Sequence, residues 1–295
     1  YKRGIPLAYL DIGGGLAVDY DGSRSNGPSS MNYTMADYAR GVVFAVGQTC
    51  ELEEVPHPTL VSESGRAITA HHSCVVMQVI DEIVSDAHPI DTEPVEGEHT
   101  LVGNMRDLAA DLSADRNYQD VYNEASVLME DILNAFKLGV LRMEELAQAE
   151  TLHWNLMRAI QRGIRTADFV SEDLRDVEGL LRSQYLCNFS LFQSAADSWA
   201  IGQVLPVAPL TRLNEAPSRQ CTIADITCDS DGKINHFIGA LGNSDNLPLH
   251  PLVPGQNYYI GLFLTGAYQD VMGDMHNLFG RLNEAHIFCD PEDPT

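Results

Sequence analysis

Apolar and polar positions follow two periods along this chain, and the period changes twice. The run Ile5-Pro6-Leu7-Ala8-Tyr9-Leu10-Asp11-Ile12 predicts a strand that passes directly into Gly13, Gly14 and Gly15. From Thr34 to about Glu54, Met35, Tyr38, Ala39, Val42, Val46 and Thr49 recur at helical spacing. Thr34 is placed to cap that helix, with Asp37 in the reciprocal capping-box slot. A second strand follows at Thr59-Leu60-Val61-Ser62-Glu63. Strand, loop, helix, strand is one βαβ step, which predicts parallel α/β architecture. In such folds ligands sit beyond the C-terminal ends of the strands, where both the glycines and Glu63 fall.

Ser73 to Val84 is rich in β-branched residues and predicts a long strand. Ser85 to about Thr100 has Pro, Glu and His without a period and reads as loop or linker. From about Leu101 to Arg182 the period becomes helical. Tyr118, Val121, Tyr122, Ala125, Leu128, Met129, Ile132, Leu133 and Phe136 form one apolar stripe, which Gly139 ends. Leu146, Ala149, Leu152, Leu156 and Ile160 form another from about Met143, and a third helix is predicted over Ser171–Arg182. These stripes read as packing faces. After Gln184 the pattern returns to strands at Tyr185–Phe192, Gln203–Leu210, Gln220–Thr227 and Tyr258–Leu264. A β-rich domain is therefore interrupted by a helical block.

Composition narrows the function. The 295 residues carry 42 acids and 18 bases, a formal charge of −24, which lacks the basic footprint a nucleic-acid partner requires. No apolar run has transmembrane length, and no signal peptide opens the chain, so no membrane partner is expected. The six cysteines form no C-x-x-C pair, and their scatter is that of reduced thiols in a cytoplasmic protein.

Side-chain-free backbone at Gly13, Gly14 and Gly15 lets N–H groups approach an anion, such as a cofactor phosphate; an ordinary tight turn is the alternative. His71-His72 invites a metal reading, but adjacent residues on a strand face opposite ways, so no metal ligand set is assigned. Four further motifs follow the glycines: Ser62-Glu63-Ser64-Gly65-Arg66, Phe189-Ser190-Leu191-Phe192-Gln193 with Asp197-Ser198-Trp199, Thr227-Cys228-Asp229-Ser230-Asp231-Gly232, and Gly266-Ala267-Tyr268-Gln269-Asp270.

In this order and spacing the motifs resemble the fold-type III pyridoxal-phosphate decarboxylases. Within them, the Leu10–Asn26, Glu63–His72 and Cys228–Gly232 stretches and the helical insertion are most similar to biosynthetic arginine decarboxylases. The resemblance implies the C-terminal part of an alanine-racemase-like (β/α)8 barrel over 1–72. It implies the first strand of a β-domain and a linker over 73–100, a helical insertion over 101–183, and a β-barrel-type domain over 184–295. It implies decarboxylation of L-arginine to agmatine and CO2 for polyamine synthesis. Gly13, Gly14, Gly15, Gly65, Arg66 and Tyr268 would hold the cofactor phosphate end and Glu63 the pyridine nitrogen. Cys228 would return a proton to Cα. Asp229 would meet the cationic end of the substrate, with Asp197 a second candidate. Cys228 and Asp229 would enter the active site of a neighbouring subunit, which implies a homodimer or larger assembly. Magnesium accompanies the activity in the family, without an assignable ligand here.

A Schiff-base lysine is the departure. Lys2, Lys137 and Lys233 are the chain's lysines, and none ends an early barrel strand. The reading therefore expects a partial chain, its front barrel strands and carboxyl-terminal continuation lying elsewhere. Two alternatives stay open: a non-catalytic relative with the same scaffold, and another decarboxylase of the group acting on ornithine, diaminopimelate or carboxynorspermidine.

Overall fold

The computed structural model describes residues 4–84, 93, 94, 96–111, 117–164, 170, 171, 174, 177, 179–239, 242–279 and 281–288. The chain divides into two compact units: Tyr1–Glu82 with Tyr185–Thr295, and Ile83–Gln184.

The first unit opens with the βαβ step. β1 (Tyr9–Asp11) and β2 (Thr59–Val61) pair in parallel, Leu10 opposite Leu60, and α1 (Met35–Leu52) connects them. Thr34 and Asp37 close the capping box in both directions, each accepting the other's backbone N–H at 3.1 Å. Only Cys50 of α1 is buried. The short helix α2 (Gly65–Thr69) and a single 3-10 turn (Ala70–His72) follow.

The rest of this unit is a seven-stranded sheet. β3 (Val75–Ile83), β4 (Ser183–Cys187), β5 (Val207–Pro209), β6 (Arg219–Ala224), β10 (Leu247–Leu249) and β11 (Tyr258–Leu262) stand in the order β10-β6-β4-β3-β11-β5. β7 (Lys233–Ile234) pairs with β6, while β8 (Phe237–Gly239) and β9 (Gly242–Ser244) form a separate hairpin. β11 runs antiparallel to β3 with Ile260 opposite Met77. Both side chains are fully buried and join Tyr185, Cys187, Phe189, Ile223 and Leu249 in one core. Val76 and Ile80 alternate outward, the period-two pattern of a sheet with one packed face. Three short helices lie in the connections: α6 (Leu191–Ser194), α7 (Ala196–Ala200) and α8 (Gln269–Met272). They are numbered after the helices of the second unit.

That second unit holds α3 (Thr100–Ala110), α4 (Tyr118–Lys137) and α5 (Met143–Ile164). Val121, Ala125, Leu156, Met157 and Ile160 belong to one core cluster, and Val102, Met105, Ile132, Leu146, Ala149 and Leu152 to another. Gly139 follows α4 at φ +71°, the left-handed position that glycine adopts without a Cβ penalty, and its N–H donates to the Phe136 carbonyl at 2.9 Å. Buried Glu145 fixes the start of α5: its carboxylate accepts the N–H groups of Arg142 (2.9 Å) and His99 (3.1 Å) and pairs with the Arg142 side chain. These donors hold its carboxyl down at about 2.

Several expectations need correction. The strand expected over Tyr185–Phe192 stops at Cys187, because Asn188 spends its N–H and side chain on Gln78 and the chain turns into α6. The strands over Ile5–Ile12 and Gln203–Leu210 shrink to three residues each. His71 and His72 lie on a 3-10 turn and not on a strand. The predicted helix at Ser171–Arg182 falls partly, and the loop at Ser85–Thr100 mostly, outside the described residues.

Candidate active site

The glycine loop and Glu63 leave adjacent strand ends and stay paired beyond them. The Ile12 N–H donates to the Val61 carbonyl and the Glu63 N–H to the Gly13 carbonyl, both at 2.9 Å. Gly14 presses on the Glu63 backbone so closely that a Cβ would stand 2.7 Å from the Glu63 carbonyl oxygen. Gly13 and Gly15 have φ of +75° and +81° and face open space. The Gly13 N–H donates to Asp11 Oδ1 at 2.8 Å. Among the described residues no acceptor takes the Gly14 or Gly15 N–H. Free backbone amides in a glycine loop fit an anion such as a phosphate. Gly65, the first residue of α2, donates its N–H to the Glu63 carbonyl at 2.8 Å.

Arg66, one residue into α2, gathers side chains from three distant stretches. Its guanidinium donates to the Tyr20 hydroxyl at 2.8 Å and to Asp197 Oδ2 at 3.0 Å, and lies 4.5 Å from the Tyr268 ring centroid. Burial works against the Arg66 charge, but the bonds to Tyr20 and Asp197 outweigh it and hold its pKa above the ordinary value. Burial also raises the Tyr20 hydroxyl, although Arg66 pulls the other way. Asp197 sits in α7, and its backbone N–H donates to Gln269 Oε1 at 2.9 Å. Gln269, itself buried, donates back to the Ala267 carbonyl at 3.0 Å. Tyr268 between them adopts φ +67°, uncommon for a bulky residue, and turns its ring onto Arg66. Gly266 donates its N–H to the Ala70 carbonyl at 3.1 Å, bringing this loop down onto the α2 segment.

Cys228 and Asp229 occupy the turn that follows β6. Asp229 closes it, its carbonyl accepting the Gly232 N–H at 3.0 Å and its Oδ1 the Asp231 N–H at 2.9 Å. Both residues meet the segment after α8: Asn277 Nδ2 donates to Cys228 Sγ at 3.0 Å, and His276 Nε2 lies 3.3 Å from Asp229 Oδ2. The His276 ring packs 4.3 Å from Phe192 of α6.

The predicted residues thus fall into three groups: the glycine loop with the Glu63 backbone, Arg66 with Asp197 and Tyr268, and Cys228 with Asp229. No described hydrogen bond or ion pair joins the last group to Arg66. Tyr20, Gln269, His276 and Asn277 were not singled out from sequence. Gln269 lies inside the quoted Gly266–Asp270 motif and Tyr20 inside the Leu10–Asn26 stretch, and that membership was the only signal. Among the described residues no cluster of three or more His, Cys, Asp or Glu side chains is arranged to hold a metal. Lys137 ends α4 and Lys233 lies on β7, while Lys2 is outside the described residues. No helix among the described residues is long and apolar enough to cross a membrane.

Two families match: the pyridoxal-dependent decarboxylase, pyridoxal binding domain, over residues 1–70, and the arginine decarboxylase helical bundle domain over residues 95–178. The biosynthetic arginine decarboxylase of Gloeobacter violaceus is 46% identical over 294 residues, which are 99% of this chain and 45% of that protein. The enzyme of the same name from Deinococcus radiodurans is 45% identical over 292 residues, covering 98% of this chain and 44% of its own length. The crystal structure of the biosynthetic arginine decarboxylase SpeA from Campylobacter jejuni superposes with a TM-score of 0.74 at 32% identity, over 95% of this chain and 43% of that one. The chain therefore spans a little under half the length of the relatives it matches. With a match to a pyridoxal-binding segment and to an arginine decarboxylase helical bundle in one polypeptide, the chain is similar over nearly its whole length to a part, under half, of biosynthetic arginine decarboxylases.

Proposed function

We propose that the protein containing this chain converts L-arginine and a proton to agmatine and CO2, with pyridoxal phosphate as cofactor. One observation carries the reading: free glycine amides lie backbone to backbone with Glu63 at neighbouring parallel strand ends. When bound, pyridoxal phosphate supplies an electron sink for the pair left at Cα as CO2 departs.

The chain's own residues do the rest. The Gly14 and Gly15 amides and the Arg66 guanidinium bind the phosphate, with Gly13 and Gly65 shaping the approach and the Tyr268 hydroxyl adding a donor. The Glu63 carboxylate accepts from the protonated pyridine nitrogen and holds it charged. Asp229 pairs with the substrate guanidinium. Asp197 is the second candidate; in the structure its carboxylate accepts from the Arg66 guanidinium. Cys228 delivers the proton to Cα as general acid. It acts from a neighbouring subunit, so the working form is a homodimer or larger. In this reading residues 1–72 are the C-terminal portion of a (β/α)8 barrel, and the seven-stranded sheet belongs to the β-barrel-type domain. The Schiff-base lysine is not assigned within the chain. Magnesium has no candidate ligand set among the described residues. A catalytically silent relative and a decarboxylase for another amino acid are less favoured, given identities of 41–46% to arginine decarboxylases over nearly the whole chain.

The test uses the full-length protein with labelled arginine. Wild type releases labelled CO2 and agmatine, with ornithine and diaminopimelate turned over poorly. Glu63→Gln retains pyridoxal phosphate absorbance but lowers kcat by about 10²-fold or more, the scale of losing one preorganised electrostatic contact. Cofactor binding without CO2 release from wild type overturns the proposal, as does wild-type kcat in Glu63→Gln.

A further inference from the structure

We infer that Asp225 is a positioning residue that sets Cys228 and Asp229 for this reaction; the inference rests on the function proposed above. Asp225 follows the last residue of β6 and is only 3% exposed. It touches neither of the assigned ligand-binding groups. Its two carboxylate oxygens instead face two different segments. Oδ2 accepts the N–H of Leu191, the first residue of α6, at 2.9 Å. Oδ1 accepts both the N–H of Thr227 at 2.9 Å and its hydroxyl at 2.7 Å. The backbone N–H of Asp225 donates to the Gly232 carbonyl at 2.7 Å. Ile226 donates to the Phe189 carbonyl at 3.1 Å, in parallel with the Asp225–Leu191 bond.

Asp225 therefore clamps both ends of the Cys228 turn, Thr227 through its carboxylate and Gly232 through its backbone N–H, and its carboxylate ties that turn to the helix start before Asp197. Gly232 closes the clamp from above. A Cβ there would stand 2.2 Å from Asp225 Oδ1 and 2.7 Å from Thr227 Oγ1. The chemistry of the site calls for a carboxylate. Every group facing Asp225 is a donor, so both of its oxygens must accept. An asparagine presents one oxygen and one NH2, and its NH2 must then face either the Leu191 N–H or the two Thr227 donors. Leaving a buried donor unsatisfied is the costly outcome of such a swap. A turn needing only shape would not require a desolvated carboxylate, which is among the more expensive groups to bury. What the clamp determines is where Cys228 and Asp229 project, since they are the two residues immediately after Thr227.

The free thiols separate positioning from general loosening. Cys228 and Cys74 are exposed, whereas Cys50, Cys187 and Cys221 are buried. Burial pushes the Cys187 and Cys221 thiols up to about 12, which keeps them inert unless the fold opens. The experiment takes the full-length protein without cofactor. Iodoacetamide labelling of each cysteine is followed by peptide mass spectrometry in wild type, Asp225→Asn and Thr227→Val, and kcat is measured separately on the cofactor-loaded forms. In Asp225→Asn the labelling rate of Cys228 changes by about threefold or more relative to Cys74, with the three buried thiols as protected as in wild type. Its kcat falls about tenfold or more, since misplacing a reacting group by about 1 Å costs up to about 10²-fold. Thr227→Val removes one donor at nearly constant volume and moves both readouts the same way by a smaller factor. Should Asp225→Asn open the buried thiols, Thr227→Val alone decides. An unchanged Cys228 rate and kcat in the folded variants overturns the inference while leaving the proposed function intact. A wild-type protein that releases no CO2 overturns that function instead, and the labelling rates still decide whether Asp225 sets the turn.

Discussion

Replacing Arg66 by methionine tests the cluster that joins α2 to α7. Methionine keeps much of the apolar stem and deletes the charge. The side chains of Arg66 and Asp197 are 22% and 10% exposed, so the pair is largely desolvated without being sealed. The change removes a charge-assisted bond at 3.0 Å, worth about 1.5–3 kcal/mol, and the stacking 4.5 Å from Tyr268, worth about 0.5–1 kcal/mol. It also strands the Asp197 carboxylate; breaking a fully buried pair costs about 3–5 kcal/mol, and residual solvent reduces that figure here. The stranding cost and the lost bond overlap, so we expect a net loss of about 2–4 kcal/mol. In a unit of this size that is a fall in Tm of about 4–16 °C. Trp199 lies in the same short helix as Asp197, so its fluorescence in a Trp154→Phe background follows the correct unit. A cycle with Asp197→Asn should return a coupling of about 1–2 kcal/mol. Additivity within about 0.5 kcal/mol would refute the assignment, because it would mean the two charges do not sense each other.

Two further outcomes follow from the geometry. Glu145 has a folded carboxyl held at about 2 against an ordinary 4.5, so its contribution is complete above about pH 4.5 and is lost as pH falls toward 2. Glu145→Gln should destabilise the helical unit at pH 7 and flatten its stability between those limits, followed by Trp154 fluorescence in a Trp199→Phe background; an unchanged acid limb would contradict the assigned bonds. Gly266→Ala places a Cβ 2.0 Å from the Thr69 carbonyl oxygen and should cost about 1–3 kcal/mol, whereas Gly41→Ala in α1 meets nothing within 4 Å and should gain about 0.5–1 kcal/mol by thermal melting.

Long periodic segments were readable from the chain alone. The stripe Leu146, Ala149, Leu152, Leu156 and Ile160 is buried along its whole length, because a helix with one partner face writes its burial into a fixed spacing. The capping box at Thr34 was readable for a similar reason, since it involves residues three apart. What failed depends on distant partners. Asn188 diverts the chain from strand to helix by bonding Gln78, and nothing in the sequence neighbourhood of Asn188 announces that. His71 and His72 were read as strand positions, yet the segment leading to them is helical, Gly65 starting a helix on the Glu63 carbonyl. In the candidate site, motif residues were picked out one at a time, but their pairings were not. Arg66 and Asp197 had been given to different ligands and are bonded to each other, a contact between residues 131 apart that no local pattern encodes.

The helical unit leaves the sheet from the end of β3 and re-enters it at the start of β4, and those two strands are sheet neighbours. To the sheet, residues 84–182 are one connection between neighbouring strands, with a folded module in place of a short loop. Closing a loop grows only slowly more costly with length, by about 0.6 kcal/mol per doubling, and the module carries its own apolar cores to offset its ordering. Strand pairings such as Ile260 opposite Met77 and Leu247 opposite Cys221 involve no residue between 84 and 182, so the module can vary in size and sequence without altering them.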